Sequence, residues 1–361
     1  MAKRVLALKP SRRQFLACCA AGVAYATPVV DEYRRGGMIY RRLGKSGLDV
    51  SLLSFGSHTD PADRKKAGPG KTVLTPEGQA RRDRIISRAF DLGVNLLDVY
   101  DSEGQWEPAA KIVAEKRQKI LISLAHETRL TDIERAARMF GYVDLYRFHS
   151  GAIDRETLES WDRLRKAKEA GIIRAIGIAT HIESTMTKAL DELEGLDYIF
   201  FPYNFIHART DFSEFIPAAV KKGVGLIGMK PQASGSIVQL DPRARKLNAP
   251  EFAQLQLWQR RNKPILPAAV AELTKSLDRL PDETLCMASM RFNYSRRFLA
   301  TAITGMFEDQ WLTDNYNSLT RYQEMTPETL AALDAARRVT ALTGPEWLPA
   351  QYRWLEEQWR A

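Results

Sequence analysis

From about residue 38 the chain alternates short, unbroken apolar runs with longer stretches of helical period. Eight runs stand in order: Leu52–Gly56, Asn95–Asp98, Ile120–Ser123, Leu145–His149, Ile173–Ile178, Tyr198–Pro202, Gly225–Met229 and Thr301–Thr304. Between them, Arg81–Leu92, Ile133–Phe140, Glu156–Ala170 and Ser213–Lys222 carry apolar residues at the spacing of one helix face. The runs are continuous rather than alternating, as expected of strands covered on both sides. Gly93, Gly171 and Gly223 each close a helical stretch just before a strand and predict left-handed C-terminal caps. Ahead of the first run, Met38–Arg42 and Leu48–Ser51 flank Gly44-Lys45-Ser46-Gly47, which predicts a β-hairpin.

Eight βα units in succession most simply close into a ring. The predicted class is α/β, a (β/α)8 TIM barrel with an N-terminal β-hairpin and a C-terminal helical extension. The rival is an open, doubly wound sheet. It loses support because no Gly-x-Gly-x-x-Gly follows the first strand. The organisation reads as a leader and linker over 1–30, a barrel over 38–325 and a helical extension over 326–361. Residues 239–264 form a polar, Arg- and Gln-rich insert between strands seven and eight, placed either to shape a pocket rim or to lie solvated on the surface. The extension carries Trp347, Trp354 and Trp359, a stripe that reads as core.

Charge and cysteine content change the picture mainly at the N-terminus. The net charge is +9 over 361 residues, and residues 1–26 hold Lys3, Arg4, Lys9, Arg12 and Arg13 with no acid, leaving +4 for the remainder. That residue of charge is too small and scattered to argue for nucleic acid. Ser11-Arg12-Arg13-Gln14-Phe15-Leu16, the apolar run to Ala26 and the small residues of Ala24-Tyr25-Ala26 read as a twin-arginine signal peptide with a cleavage site. The expectation is therefore a partner in the twin-arginine export machinery and a periplasmic or extracellular protein. It has no membrane span after cleavage, and is tethered if the signal is uncleaved. A short basic amphipathic helix is the plainer alternative. Three cysteines make no disulfide framework; Cys18 and Cys19 fall in the leader, and Cys286 reads as core. No paired His-x-His or Cys-x-x-Cys spacing points to a metal.

In a barrel of this kind, chemistry stands at the C-terminal ends of the strands. Those ends are Asp98 with Val99-Tyr100-Asp101-Ser102-Glu103-Gly104, then Ala125-His126, His149, Thr180-His181, Tyr203-Asn204, Lys230-Pro231 and Gly305-Met306. Several ionisable groups converging on one rim make a candidate site. The series resembles the aldo-keto reductase family over about residues 38 to 322. Tyr40–Leu48 with Leu53–Gly56 looks like that family's hairpin and first strand. Gly93–Asp98 looks like its second strand with the catalytic aspartate, and Val143–His149 like its fourth with the catalytic histidine. Gly171–Gly177, Pro202-Tyr203-Asn204 and Gly305-Met306 with Asp314-Asn315 continue the order.

The resemblance implies hydride transfer between NADP or NAD and a small-molecule carbonyl or sugar-like substrate. In the family a tyrosine gives the proton, an aspartate and a lysine tune it, and a histidine orients the carbonyl. Asp98 and His149 match their slots. Glu103 stands where the tyrosine should be, five residues after the aspartate and before Gly104, while Tyr100 is three residues too early. The lysine slot falls at Ala125 or His126, depending on a one-residue register. The candidate catalytic set is thus Asp98, Glu103, His149 and His126. The candidate cofactor set is Thr180, Asn204, Lys230, Gly305 and Asn315. Glu308 and Asp309 after Gly305 would repel a 2′-phosphate and favour NAD over NADP, or no dinucleotide. Three readings stay open. One is an altered oxidoreductase in which Glu103, its pKa raised in a dry pocket, is the acid. Another is an isomerase or epimerase on the same scaffold, and the third a non-catalytic binding or partner protein. The plainer alternatives, weighed below the catalytic ones, are a buried acid paired with a cation for Asp98 and a core histidine for His149.

Overall fold

The computed structural model describes residues 31–125, 130–206, 209–233, 274–321 and 323–342. The chain enters through a three-stranded antiparallel sheet, β1 (Glu32–Arg35), β2 (Met38–Arg42) and β3 (Asp49–Ser51). The first barrel strand, β4 (Leu53–Phe55), is followed by a separate hairpin of β5 (Arg64–Gly68) and β6 (Lys71–Leu74). The other seven barrel strands are β7 (Leu96–Val99), β8 (Leu121–Ala125), β9 (Val143–His149), β10 (Ile173–Ala179), β11 (Tyr198–Pro202), β12 (Gly225–Met229) and β13 (Leu299–Thr304). With β4 they make a closed, parallel ring in chain order, β13 bonding back to β4.

Helices cover the ring: α1 (Pro76–Asp91), α2 (Trp106–Val113), α3 (Leu130–Phe140), α4 (Arg155–Glu169), α5 (Glu183–Glu192), α6 (Phe215–Lys221), α7 (Leu285–Tyr294), α8 (Asp309–Thr320) and α9 (Pro327–Leu342). All eight predicted strands and the four predicted helices are present. The start of α1 lies five residues ahead of its apolar period, because Thr75 caps it and Pro76 occupies the first turn. Gly93, Gly171 and Gly223 have φ of +93°, +74° and +66°, the left-handed caps that the pattern predicts.

Among the strands, β1 and the β5–β6 hairpin escaped the sequence reading. In β1 the sequence Glu-Tyr-Arg-Arg shows no buried face, and β5–β6 is lysine-rich and largely exposed. Both are held by backbone ladders rather than by apolar periodicity. The 239–264 insert, Trp347, Trp354, Trp359 and the leader lie outside the described residues. The described part of the extension, α9, packs on the outside, where buried Arg337 donates to the Phe205 carbonyl and pairs with Asp211.

The strand period decides what faces inward. Along β9, Tyr146 and Phe148 pack outward under the helices, whereas Leu145 joins the apolar cluster inside the ring. Arg147 and His149 share the parity of Leu145. The N-terminal end of the barrel is stoppered: Leu43, Leu48 and Val50 of the β2–β3 hairpin join Leu96, Leu145, Tyr198 and Ile227 in that inner cluster. Lys45 N donates to Gly223 O at 2.7 Å, tying the hairpin to the barrel floor. Higher up, the Tyr198 ring lies so close to Gly177 that a Cβ there would stand 2.5 Å from it.

Candidate active site

The mouth is built from its floor upward. Asp98, at the end of β7, is 1% exposed and accepts from Ser123 Oγ at 2.6 Å, from Arg147 Nη1 at 2.6 Å and from Arg147 Nη2 at 2.9 Å. Arg147 is also 1% exposed, and its guanidinium lies 3.9 Å from the centre of the Phe200 ring. Burial opposes its charge, but Asp98 outweighs burial and holds the guanidinium ionised. Tyr100 lies over this pair, its hydroxyl 3.5 Å from Arg147 Nη2. Burial pushes the Tyr100 phenol up, so it stays protonated.

The register settles the lysine slot as far as Ala125. Ser123 points inward to Asp98, so Ala125, two residues on, shares that face, and it pairs across the ladder with Arg147. The cation paired with Asp98 is Arg147, on the fourth barrel strand. His126 lies outside the described residues.

His149 stands at the end of β9, with a water-accessible surface at the open mouth. Crowding by the rim, then the charges of Arg147 and Lys230, push its imidazole down to about 4. Water access tempers the first cause, while the two cations act in the same direction. At neutral pH His149 is an uncharged hydrogen-bond donor or acceptor.

Glu103 behaves differently from its expected role. Its carboxylate accepts from Thr59 N at 2.6 Å, Thr59 Oγ1 at 2.6 Å and His58 Nδ1 at 2.9 Å, with Arg64 Nη2 3.2 Å away. Burial alone would raise its pKa; the donation and charge of His58, the Thr59 bonds and Arg64 reverse that and lower it. The raised pKa expected of an acid in a dry pocket is thus corrected: Glu103 is a fixed carboxylate. Its loop is covered by β6, whose Val73 leaves no space for a side chain at Gly104 (φ +61°).

The cofactor candidates lie on the rim after barrel strands five to eight. Thr180 is buried, and its hydroxyl accepts from Ile182 N. The Asn204 amide bridges two loops, donating to Lys230 O at 3.1 Å and accepting from Ile206 N at 3.0 Å. Lys230 adopts φ +54°, uncommon for a residue with a Cβ, and hydrogen-bonds His181. Burial pushes its ammonium down to about 8. Asn315 accepts from Gln232 Nε2 at 2.8 Å, and Gln232 Oε1 accepts from Thr304 Oγ1 at 3.3 Å, one strand end from Gly305. A dinucleotide fits this set in kind. Loops after strands seven and eight are the usual phosphate seat of such barrels, and an anion beside Lys230 would restore the charge that burial disfavours.

Arg147, Ser123, His58, Thr59 and Arg64 are site residues that the sequence reading did not select. The signal for Arg147 was its spacing of two from His149. Cys286 is half-buried on α7 against the core. Among the described residues no helix is long and apolar enough to cross a membrane, and no three His, Cys, Asp or Glu gather as a metal site.

Residues 75–338 match the family model described as "Aldo/keto reductase family". The uncharacterized oxidoreductase YqkF of Bacillus subtilis is 21% identical over 319 residues, covering 82% of this chain and 95% of that protein. L-galactose dehydrogenase of Arabidopsis thaliana is 23% identical over 321 residues, covering 82% and 93%. Among solved structures, the holo form of aldo-keto reductase AKR11C1 from Bacillus halodurans superposes with a TM-score of 0.63 at 21% identity, covering 82% of this chain and 95% of that one. At that identity the superposition speaks for the fold alone.

Proposed function

This chain belongs to the aldo/keto reductase family of oxidoreductases, and from that premise we propose that it interconverts a small hydroxylated carbonyl compound and its alcohol. The observation that carries the reading is the Arg147–Asp98 pair beneath an uncharged His149 at one barrel mouth. The L-galactose dehydrogenase relative supports a sugar-like substrate. A nicotinamide dinucleotide, held by Lys230, Thr180, Gly305 and Asn315, would supply the hydride chemistry when bound.

The side chains divide the remaining work. A carbonyl oxygen gains negative charge as its carbon is reduced, so donors must already point at it. Neutral His149 offers one N–H and fixes the carbonyl's direction. Arg147 contributes positive potential from below while Asp98 holds it in place. Phe200 and the Tyr100 ring narrow the floor and keep water from the reacting carbon.

Location is a second part of the proposal. Arg12 and Arg13 with the apolar run to Ala26 would direct a folded chain through the twin-arginine route.

The reading is tested by adding NADH or NADPH to the purified protein and following quenching of tryptophan fluorescence. Turnover with glyceraldehyde or an aldose is then followed by nicotinamide absorbance. Saturable quenching and carbonyl-dependent consumption are expected; binding of neither nucleotide overturns the reading.

A further inference from the structure

We propose that His58, oriented by Glu103, is the group that exchanges a proton with the substrate oxygen, doing from the first-strand loop what the family's tyrosine does from the second. The inference rests on the oxidoreductase reading above.

The geometry begins with the Glu103 carboxylate. An ionised carboxylate only accepts hydrogen bonds, so at 2.9 Å His58 Nδ1 must be the donor. That fixes the ring: Nε2 carries the lone pair when the imidazole is neutral and a proton when it is charged. The carboxylate is itself immobilised by Thr59 N and Thr59 Oγ1. Arg64 Nε in turn donates to Thr59 Oγ1 at 2.8 Å.

The backbone of His58 is clamped as well. Buried Arg82 donates to His58 O at 2.9 Å and to Ser57 O at 3.1 Å, while Gly56 N donates to Thr304 O at 2.8 Å. Such fixing of a ring by a carboxylate, and of its loop by further bonds, is how an acid–base imidazole is held ready.

The place in the fold fits the same role. The His58 side chain is 52% exposed, so part of the ring is open to a molecule at this rim. Its ring packs edge-on against Tyr100 at 5.3 Å between centroids, and Tyr100 reaches Arg147. Glu103 occupies the position where the resemblance calls for a proton donor. A carboxylate already receiving these bonds serves better as a positioning residue than as a donor.

The proton account closes on these atoms. In reduction, the Nε2–H bond of the imidazolium breaks as the O–H bond of the alcohol forms. The electron pair entering the carbonyl carbon comes from the reduced nicotinamide of the proposed function. Water returns a proton to Nε2, and Glu103 stays ionised throughout. Oxidation of an alcohol runs the same transfers backward.

The experiment uses the full chain with NADH or NADPH and glyceraldehyde. For His58→Ala, kcat is expected to fall about 10²- to 10⁴-fold, the usual worth of a general acid, with nucleotide quenching and KM little changed. Added imidazole should restore part of kcat. Tyr100→Phe should lose less than His58→Ala. A readout independent of turnover is the 15N spectrum of the histidines, with His58→Gln identifying the signal. The wild type should show the Nδ1–H tautomer, and Glu103→Gln should mix the two. Near-normal kcat in His58→Ala, a loss that imidazole leaves unmoved, or an Nε2–H tautomer in the wild type overturns the assignment. A wild type that binds neither nucleotide overturns the oxidoreductase reading and this assignment with it, whereas normal binding with an indifferent His58 overturns this assignment alone.

Discussion

Arg147 grips Asp98 with both terminal nitrogens across the intervening strand β8, and neither side chain reaches solvent. Removing one partner of such a pair leaves an uncompensated buried charge. Asp98→Asn is therefore expected to destabilise the fold by about 3–5 kcal/mol, and Arg147→Met by a similar amount. The double variant should be less destabilised than the two single losses added together, because no charge is then stranded. Urea unfolding of the four proteins measures this; strict additivity would show that the pair is not coupled.

His149 gives a pH prediction. The fold favours its neutral form, with the pKa down at about 4 against an ordinary value of 6.5. Between those values the unfolded chain binds more protons than the folded one. The contribution is whole above about pH 6.5 and is lost as pH falls toward 4. The urea midpoint should therefore drop less in His149→Gln than in wild type over that window. Equal slopes would mean that neither burial at the rim nor the neighbouring cations act on this ring.

Tyr198 and Gly177 test the packing inside the ring. The Tyr198 hydroxyl is buried with no hydrogen-bond partner among the described residues. Tyr198→Phe should raise stability by about 1 kcal/mol, because an unmet buried hydroxyl costs about that or more. Gly177→Ala drives a methyl into the same ring and should cost about 1–3 kcal/mol. Thermal midpoints moving in opposite directions are the expected pair of results.

Arg12→Lys combined with Arg13→Lys should strand the protein in the cytoplasm of a host with a twin-arginine pathway, at unchanged total amount. Cell fractionation and immunoblotting read the outcome. Unimpaired export of the double variant would assign transport to another signal.

The barrel was legible because strands buried on both faces leave unbroken apolar runs, and helix ends leave glycine. Leu145–His149 and Gly93 needed no structure to be placed. Strand β1 and the polar hairpin β5–β6 left no such mark, since ladder bonds between exposed residues have no signature in hydrophobic period. At the site, Asp98 and His149 could be placed by spacing to their strands. The role of Glu103 could not, because its carboxylate depends on His58, Thr59 and Arg64, which lie at least 39 positions earlier in the sequence. Arg147 was within reach of the same parity that placed His149, and was passed over because the resemblance asks for a lysine one strand earlier.

The β2–β3 hairpin that stoppers the barrel floor also sets the traffic. With Leu43, Leu48 and Val50 filling one end, a molecule that reaches Asp98 and His149 comes from the opposite end of the ring. In the proposed reaction, product and fresh reactant share that one end, so each stands in the way of the other.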